Sequence, residues 1–187
     1  MTNGTINAST VTSVTGKAAD IISVFTSSGI SNLGTSETIT VTDNPTVSQL
    51  NTILGYTTSA VSATITASMS DLNSLTETGN AITISVTGDY TTAELTALSA
   101  KTIGTVTTNS GTTLTGTYAD VYAAAGAAGF DGATNVTVTD AVTTNEIHLL
   151  QDRVTSGIVT ATISDTDTDT LLAGGANIQN AGAFTIT

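Results

Sequence analysis

The sequence predicts an α/β repeat, a solenoid with a parallel β-sheet on one side and short helices or loops on the other. Three observations carry the expectation. Along the 187 residues, short segments in which Thr or Ser alternates with Ile, Val or Ala recur at intervals typical of solenoid repeats. Between them lie segments that open on a Thr, Ser, Asp or Asn and continue with leucines at helical spacing. Threonine makes up roughly a quarter of the chain, far above ordinary globular usage.

The strands are read first, because β-branched residues with a period of two fit a pleated surface. They are Thr38-Ile39-Thr40-Val41-Thr42, Ser62-Ala63-Thr64-Ile65-Thr66, Ile82-Thr83-Ile84-Ser85-Val86-Thr87, Thr105-Val106-Thr107, Val136-Thr137-Val138-Thr139, Val159-Thr160-Ala161-Thr162-Ile163-Ser164 and Phe184-Thr185-Ile186-Thr187. The helices follow from capping residues ahead of an apolar stripe. Thr46 precedes Val47, Leu50, Ile53 and Leu54; Ser70-Asp71 precedes Leu72 and Leu75; Thr91-Thr92 precedes Glu94, Leu95 and Leu98. Thr117 precedes Tyr118, Val121 and Tyr122; Thr143-Thr144 precedes Glu146, Ile147, Leu150 and Val154; Asp169 precedes Leu171 and Leu172. Helices this short do not stand alone in water, so they must pack on the strands.

A strand, a short helix and another strand form a crossover, which requires parallel pairing and favours a right-handed connection. Residues 1–36 fit the repeat least and read as an N-terminal cap or extension, with a helix near Lys17 to Thr26 that carries Ile21, Ile22 and Phe25. Residues 37–187 read as the solenoid, about seven strand–helix rungs. Its inward residues are Ile39, Val41, Ile65, Ile84, Val86, Val106, Val138, Ile163 and Ile186. The rival architecture is an all-β sandwich with threonine-rich outer faces, which calls for tight turns where this chain has leucine pairs and the run Ala123-Ala124-Ala125.

Composition narrows the function. Fifteen acidic residues stand against three basic ones, Lys17, Lys101 and Arg153, for a net charge of −12. Phosphate-backbone binding needs clustered Lys and Arg, so nucleic acid is not an expected partner. An anionic membrane surface repels such a chain, and no apolar run is long enough for a transmembrane helix. The absence of cysteine excludes disulfides and thiolate chemistry, and a single histidine, His148, excludes a multi-histidine centre. Met1-Thr2-Asn3-Gly4 has neither the basic nor the apolar stretch of a Sec-type signal.

Four constellations remain. The outward face of the stacked strands presents Thr40, Thr42, Thr64, Thr66, Thr83, Ser85, Thr105, Thr107, Thr137, Thr139, Thr160, Thr162, Thr185 and Thr187. Such a hydroxyl array resembles the ice-binding face of several antifreeze proteins, and equally a solvent-facing threonine ladder. Asp165, Asp167 and Asp169 alternate like the start of a calcium loop, although the glycine and distal glutamate of an EF-hand are missing; acids capping a helix N-terminus account for the same pattern. Asp43, Asp89 and Asp140 each follow a strand, as turn or N-cap residues or as an acidic edge that takes Ca²⁺. Glu146, His148, Asp152 and Arg153 lie on or just after one helix, where Glu146 and Arg153 are spaced for a salt bridge on a solvated face. No GxSxG elbow, Walker loop or HExxH motif is present, so no enzyme is expected and no cofactor beyond a possible Ca²⁺.

The segments VTVTDAVTTNEIHLLQDRVTSGIVTATIS and ITVTDNPTVSQLNTILGYTTSAVSATIT share one plan: strand, Asp, capped helix, then a Thr-Ser linker into the next strand. In these segments the chain resembles the Thr/Ala-rich repeat regions of large bacterial surface proteins, those of cyanobacteria, RTX-type adhesins and S-layer proteins, and related virion structural proteins of phages. The RTX nonapeptide rich in GGxGxD is absent. The resemblance implies a non-catalytic structural or adhesive module, extracellular, at the cell surface or in a virion. Its partners would be copies of itself or neighbouring structural subunits. The alternative is a binding module whose threonine face recognises ice or a glycan.

Overall fold

The computed structural model describes residues 4–76, 79–127, 129–132, 134–165 and 183–186. The chain is α/β. Its strands are β1 (Ile6–Asn7), β2 (Ser13–Gly16), β3 (Ile30–Ser31), β4 (Thr38–Val41), β5 (Val61–Ser68), β6 (Ala81–Thr87), β7 (Tyr90–Thr91), β8 (Val106–Thr108), β9 (Thr113–Gly116), β10 (Asn135–Val142), β11 (Val159–Ile163) and β12 (Ala183–Ile186). Among them run α1 (Ala18–Thr26), α2 (Val47–Leu54), α3 (Met69–Leu72), α4 (Thr92–Ser99), α5 (Tyr118–Ala125) and α6 (Thr144–Gln151).

Two compact units divide the chain, Met1–Ser85 with Leu98–Val106, and Val86–Ala97 with Thr107–Thr187. The first carries the pair β1-β3 and most of the five-stranded sheet β2-β4-β5-β6-β8; the second carries the sheet β12-β11-β10-β9-β7. The pairings β1–β3, β2–β4, β4–β5, β7–β9, β9–β10, β10–β11 and β11–β12 are all parallel. That direction is what helical crossovers impose, and it sets aside the antiparallel sandwich.

In the first unit the alternating pattern sorts itself by face. Ile39, Val41, Val61, Ile65, Ile82 and Ile84 are buried, while Thr38, Thr40, Ser62, Thr64 and Thr83 between them are exposed. Leu50, Ile53, Leu54, Met69 and Leu72 complete this core from α2 and α3, both of which lie against β5. The second unit repeats the plan with Leu114, Val136, Val138, Val159 and Ile163 beneath Val121, Ile147, Leu150 and Val154. Val106, expected inside, is half-buried at the start of the three-residue β8. Ile186 lies on β12, and its side chain is outside what the structure describes.

The helix starts obey the capping rule. Hydroxyls of Thr46, Ser68, Thr117 and Thr143 accept the backbone N–H three residues on, at Gln49, Asp71, Asp120 and Glu146. Gln49 and Glu146 reach back to close full capping boxes, and Glu94 does the same for Thr91. The cap of α3 is Ser68, two residues before the expected Ser70-Asp71. The helix expected at Asp169 lies outside the described residues. Residues 1–36 supply β2, in register with β4, and α1, which lies against α2.

Two glycines set how closely neighbouring segments approach. A Cβ on Gly104 would strike the backbone of Ile82, and one on Gly157 the carbonyl of Thr134. Each follows a threonine by two residues, Thr102 and Thr155, in the linker that delivers the chain into the next strand.

Candidate functional site

In the first unit, β4 pairs Thr40 with Thr15 of β2 on one side and with Ser62 of β5 on the other. All three side chains are exposed, so their hydroxyls form a continuous row at the interstrand spacing of about 4.8 Å. Thr42 is exposed just beyond β4, and Thr64 and Thr66 are exposed along β5. On β6, Thr83 is exposed and Ser85 half-buried. Thr105 precedes β8 rather than lying on it, and Thr107 is half-buried within it.

The second unit has a longer row: Thr91, Thr115, Thr137 and Thr160 are successive register partners across β7, β9, β10 and β11, and Ala183 of β12 ends it. Thr115, Thr137 and Thr160 are half-buried. The neighbouring column is interrupted. Between Thr137, opposite Thr160, and Ala141, opposite Thr162, β10 carries Val138, Thr139 and Asp140 where β11 has Ala161 alone. This bulge lifts Thr139 out of register, so Ala141 stands opposite Thr162, whose partner on the far side is Thr185. Thr187 lies outside the described residues. Thr15 and Thr115 join the rows without having been picked out from sequence, and Thr91, read there only as a helix cap, joins them too.

The aspartates that follow strands have a defined task. Asp43 Oδ1 accepts the Ala18 amide at 2.8 Å, Asp140 Oδ1 that of Tyr118 at 2.7 Å, and Asp165 Oδ2 that of Thr144 at 2.6 Å. Ala18, Tyr118 and Thr144 are the first residues of α1, α5 and α6, so in each case a carboxylate caps a helix that lies 21 to 25 residues earlier in the chain. Negative charge there also meets the positive end of the helix dipole. Asp89 Oδ1 takes instead the Thr113 amide at the start of β9, 2.8 Å away. Asp165 accepts a second bond, from the Thr144 hydroxyl at 2.7 Å. The amide and then the hydroxyl of Thr144 hold its carboxyl below the usual aspartate range, against a small opposing effect of burial. Asp167 and Asp169, the other members of the expected DxDxD set, lie outside the described residues. Among the described residues no three His, Asp or Glu side chains gather as metal ligands.

The group on and after α6 is dispersed by its own bonds. Glu146 Oε2 accepts from the Thr143 amide and hydroxyl at 2.8 and 2.9 Å. The helix ends at Gln151, so Arg153 leaves the helical face, lays its guanidinium 3.4 Å from the centre of the Tyr122 ring and donates to the Tyr122 carbonyl. The expected Glu146–Arg153 pairing gives way to a cap and a cation–π contact. Tyr118 stacks on the same tyrosine with ring centres 5.6 Å apart.

A shallow open groove of 470 Å³ runs past Asn44, Thr46, Ser48, Thr66 and Asp71. Its polar groups largely answer one another: Asn44 Oδ1 accepts the Thr66 amide at 2.7 Å, and Asp71 Oδ2 accepts the Ser68 hydroxyl at 2.7 Å. No helix among the described residues is long and apolar enough to cross a membrane. Comparison with family models, curated proteins and solved structures returns no match.

Proposed function

We propose that the chain is a non-catalytic structural module, each unit a short stretch of α/β solenoid, that builds an extracellular surface layer, appendage, adhesin or virion structure by association with copies of itself or with neighbouring structural subunits. One observation carries the reading. Asp43, Asp140 and Asp165, three of the carboxylates that the sequence offers as caps or cation ligands, accept from the first amides of helices. Carboxylates used in this way hold successive segments of backbone together, which is the work of a scaffold. The likeness of its sequence to bacterial surface-protein repeats agrees with this role. Electron microscopy of the concentrated protein, with and without Ca²⁺, tests it: fibres or arrays are expected, and dispersed single particles under every condition overturn it.

The exposed row Thr15, Thr40, Ser62 favours a second reading, a binding module whose hydroxyl face recognises ice or a glycan. The row carries no charged side chain. Thermal hysteresis that disappears in Thr40→Lys supports this reading, and none at high protein concentration ends the ice-binding form of it.

A further inference from the structure

The backbone ladders of both units follow one rule. Amides in the outward phase of the alternation donate toward the strand before: Thr38 to the Thr12 carbonyl at 3.0 Å, Thr42 to Gly16 at 2.9 Å, Asn135 to Thr112 at 2.7 Å and Ser164 to Val142 at 2.8 Å. Amides in the inward phase donate toward the strand after: Ile39 to Ala60 at 3.0 Å, Ile84 to Thr105 at 2.8 Å and Val136 to Ile158 at 2.7 Å. On β2, Val14 and Gly16 therefore face β4, and the N–H and C=O of Ser13 and Thr15 point to the other side. Since β2 ends its sheet, those groups have no partner among the described residues. Val14, register partner of the buried Ile39, is only half-buried, and just ahead of it Ile6 and Val11 are 67% and 38% exposed. Neither proline nor charge blunts this edge within β2.

The second unit carries the complementary edge. There β12 ends the sheet, and Phe184 and Ile186, register partners of Ala161 and Ile163, occupy the places whose backbone donates forward. Both edges belong to parallel sheets with the same alternation, so a strand in the phase of β12 satisfies Ser13 and Thr15 as β2 itself satisfies β4. Charge favours the same pairing. All fifteen acids lie between Asp20 and Asp169; residues 1–19 carry Lys17 alone, and residues 170–187 carry no charged side chain. These are the stretches at which two copies of a chain of charge −12 meet with least repulsion.

We propose that the open edge of β2 is a docking surface for a second copy of this chain, which adds its β12 in parallel and brings Thr185 beside Thr15. The proposal rests on the self-association put forward above and names its interface. The two edges are different surfaces, so a copy that uses one keeps the other, and association continues as an open filament or closes as a ring.

Sedimentation velocity in about 1 M salt, where repulsion between copies is screened, tests it with Thr15→Pro. The Thr15 amide faces away from β4, so proline is tolerated in the strand and removes one donor of the edge. Self-association should weaken about tenfold, whereas Thr15→Ala, which keeps the amide, should assemble like the parent. A folded Thr15→Pro that assembles like the parent, or a Thr15→Ala that loses as much, overturns the interface and leaves self-association standing. A parent that stays monomeric removes both. Cross-linking needs no proline: the chain has no cysteine, and neighbouring parallel strands lie about 4.8 Å apart, inside the span of roughly 4.4–6.8 Å that a disulfide bridges. Thr15→Cys and Thr185→Cys proteins, mixed and oxidised, should yield mainly the 15–185 disulfide. Disulfides between like copies alone overturn the pairing of β2 with β12.

Discussion

Asp165 shows how much one side chain contributes when its partner lies in an earlier helix. Two donors from Thr144 favour its charged form, so its folded pKa lies below the unfolded value of about 3.9. A group depressed in this way stabilises the fold fully above the unfolded pKa, and the contribution is lost as the pH falls through the folded value. Asp165→Asn keeps an oxygen for the Thr144 amide and removes the charge. Its melting temperature should lie below that of the parent at pH 7, and the gap should close as melts are taken below about pH 4. A gap that stays constant with pH removes charge from the explanation. At Gly157 the relevant quantity is space, since its missing side chain is where the Thr134 carbonyl sits. Backbone cannot rotate away like a flexible side chain, so Gly157→Ala should lower the unfolding free energy in urea by about 1–3 kcal/mol, the usual cost of overpacking. Gly4→Ala is the control: nothing lies within 4 Å of the added methyl, and no change is expected.

At the scale of the element, short helices depend on their ends. In α2, Thr46 Oγ1 accepts the Gln49 amide at 3.2 Å while Gln49 Oε1 accepts the Thr46 amide at 2.9 Å. Thr46→Ala should therefore cost about 1 kcal/mol in urea unfolding with an unchanged m-value, the usual effect of deleting a cap. A much larger loss indicates that Thr46 also holds something other than its helix. The caps of α2, α4, α5 and α6 were legible in the sequence because both members of each pair lie three residues apart, whereas that of α3 fell two residues ahead of its expected place; the long strands were legible because β5, β6, β10 and β11 alternate over many residues. What the sequence concealed is non-local or too brief to pattern. Thr113-Leu114-Thr115 contains one apolar residue, too little for a period, yet it forms β9, which carries the threonine row between β7 and β10. The bulge in β10 is equally silent, because Val136-Thr137-Val138-Thr139 alternates without a break straight through the point where pairing with β11 slips. The aspartates were visible as residues, but a sequence does not say that the amides met by Asp43, Asp140 and Asp165 belong to helices 21 to 25 residues earlier.

At the scale of the whole molecule, charge decides how copies can meet. Each carries −12, and of its three cations Arg153 is engaged with Tyr122 while Lys101 Nζ donates to the Asn73 carbonyl at 2.9 Å. An interface between copies therefore has few ion pairs to draw on and must rest on hydroxyl and apolar contact, formed against mutual repulsion. Repulsion of this kind reaches about 30 Å at 0.01 M salt, the dimension of a small domain, and only about 3 Å at 1 M. Added salt should consequently strengthen association, the reverse of what it does to a complex built on opposite charges. Sedimentation velocity at fixed protein concentration and pH 7 should show the assembled fraction rising steadily between these two salt concentrations. Dissociation on adding salt points to a partner surface of opposite sign, which this chain does not carry. A monomer at every concentration of salt and protein removes self-association from its role and leaves the exposed row Thr15, Thr40, Ser62 as the surface that meets something else.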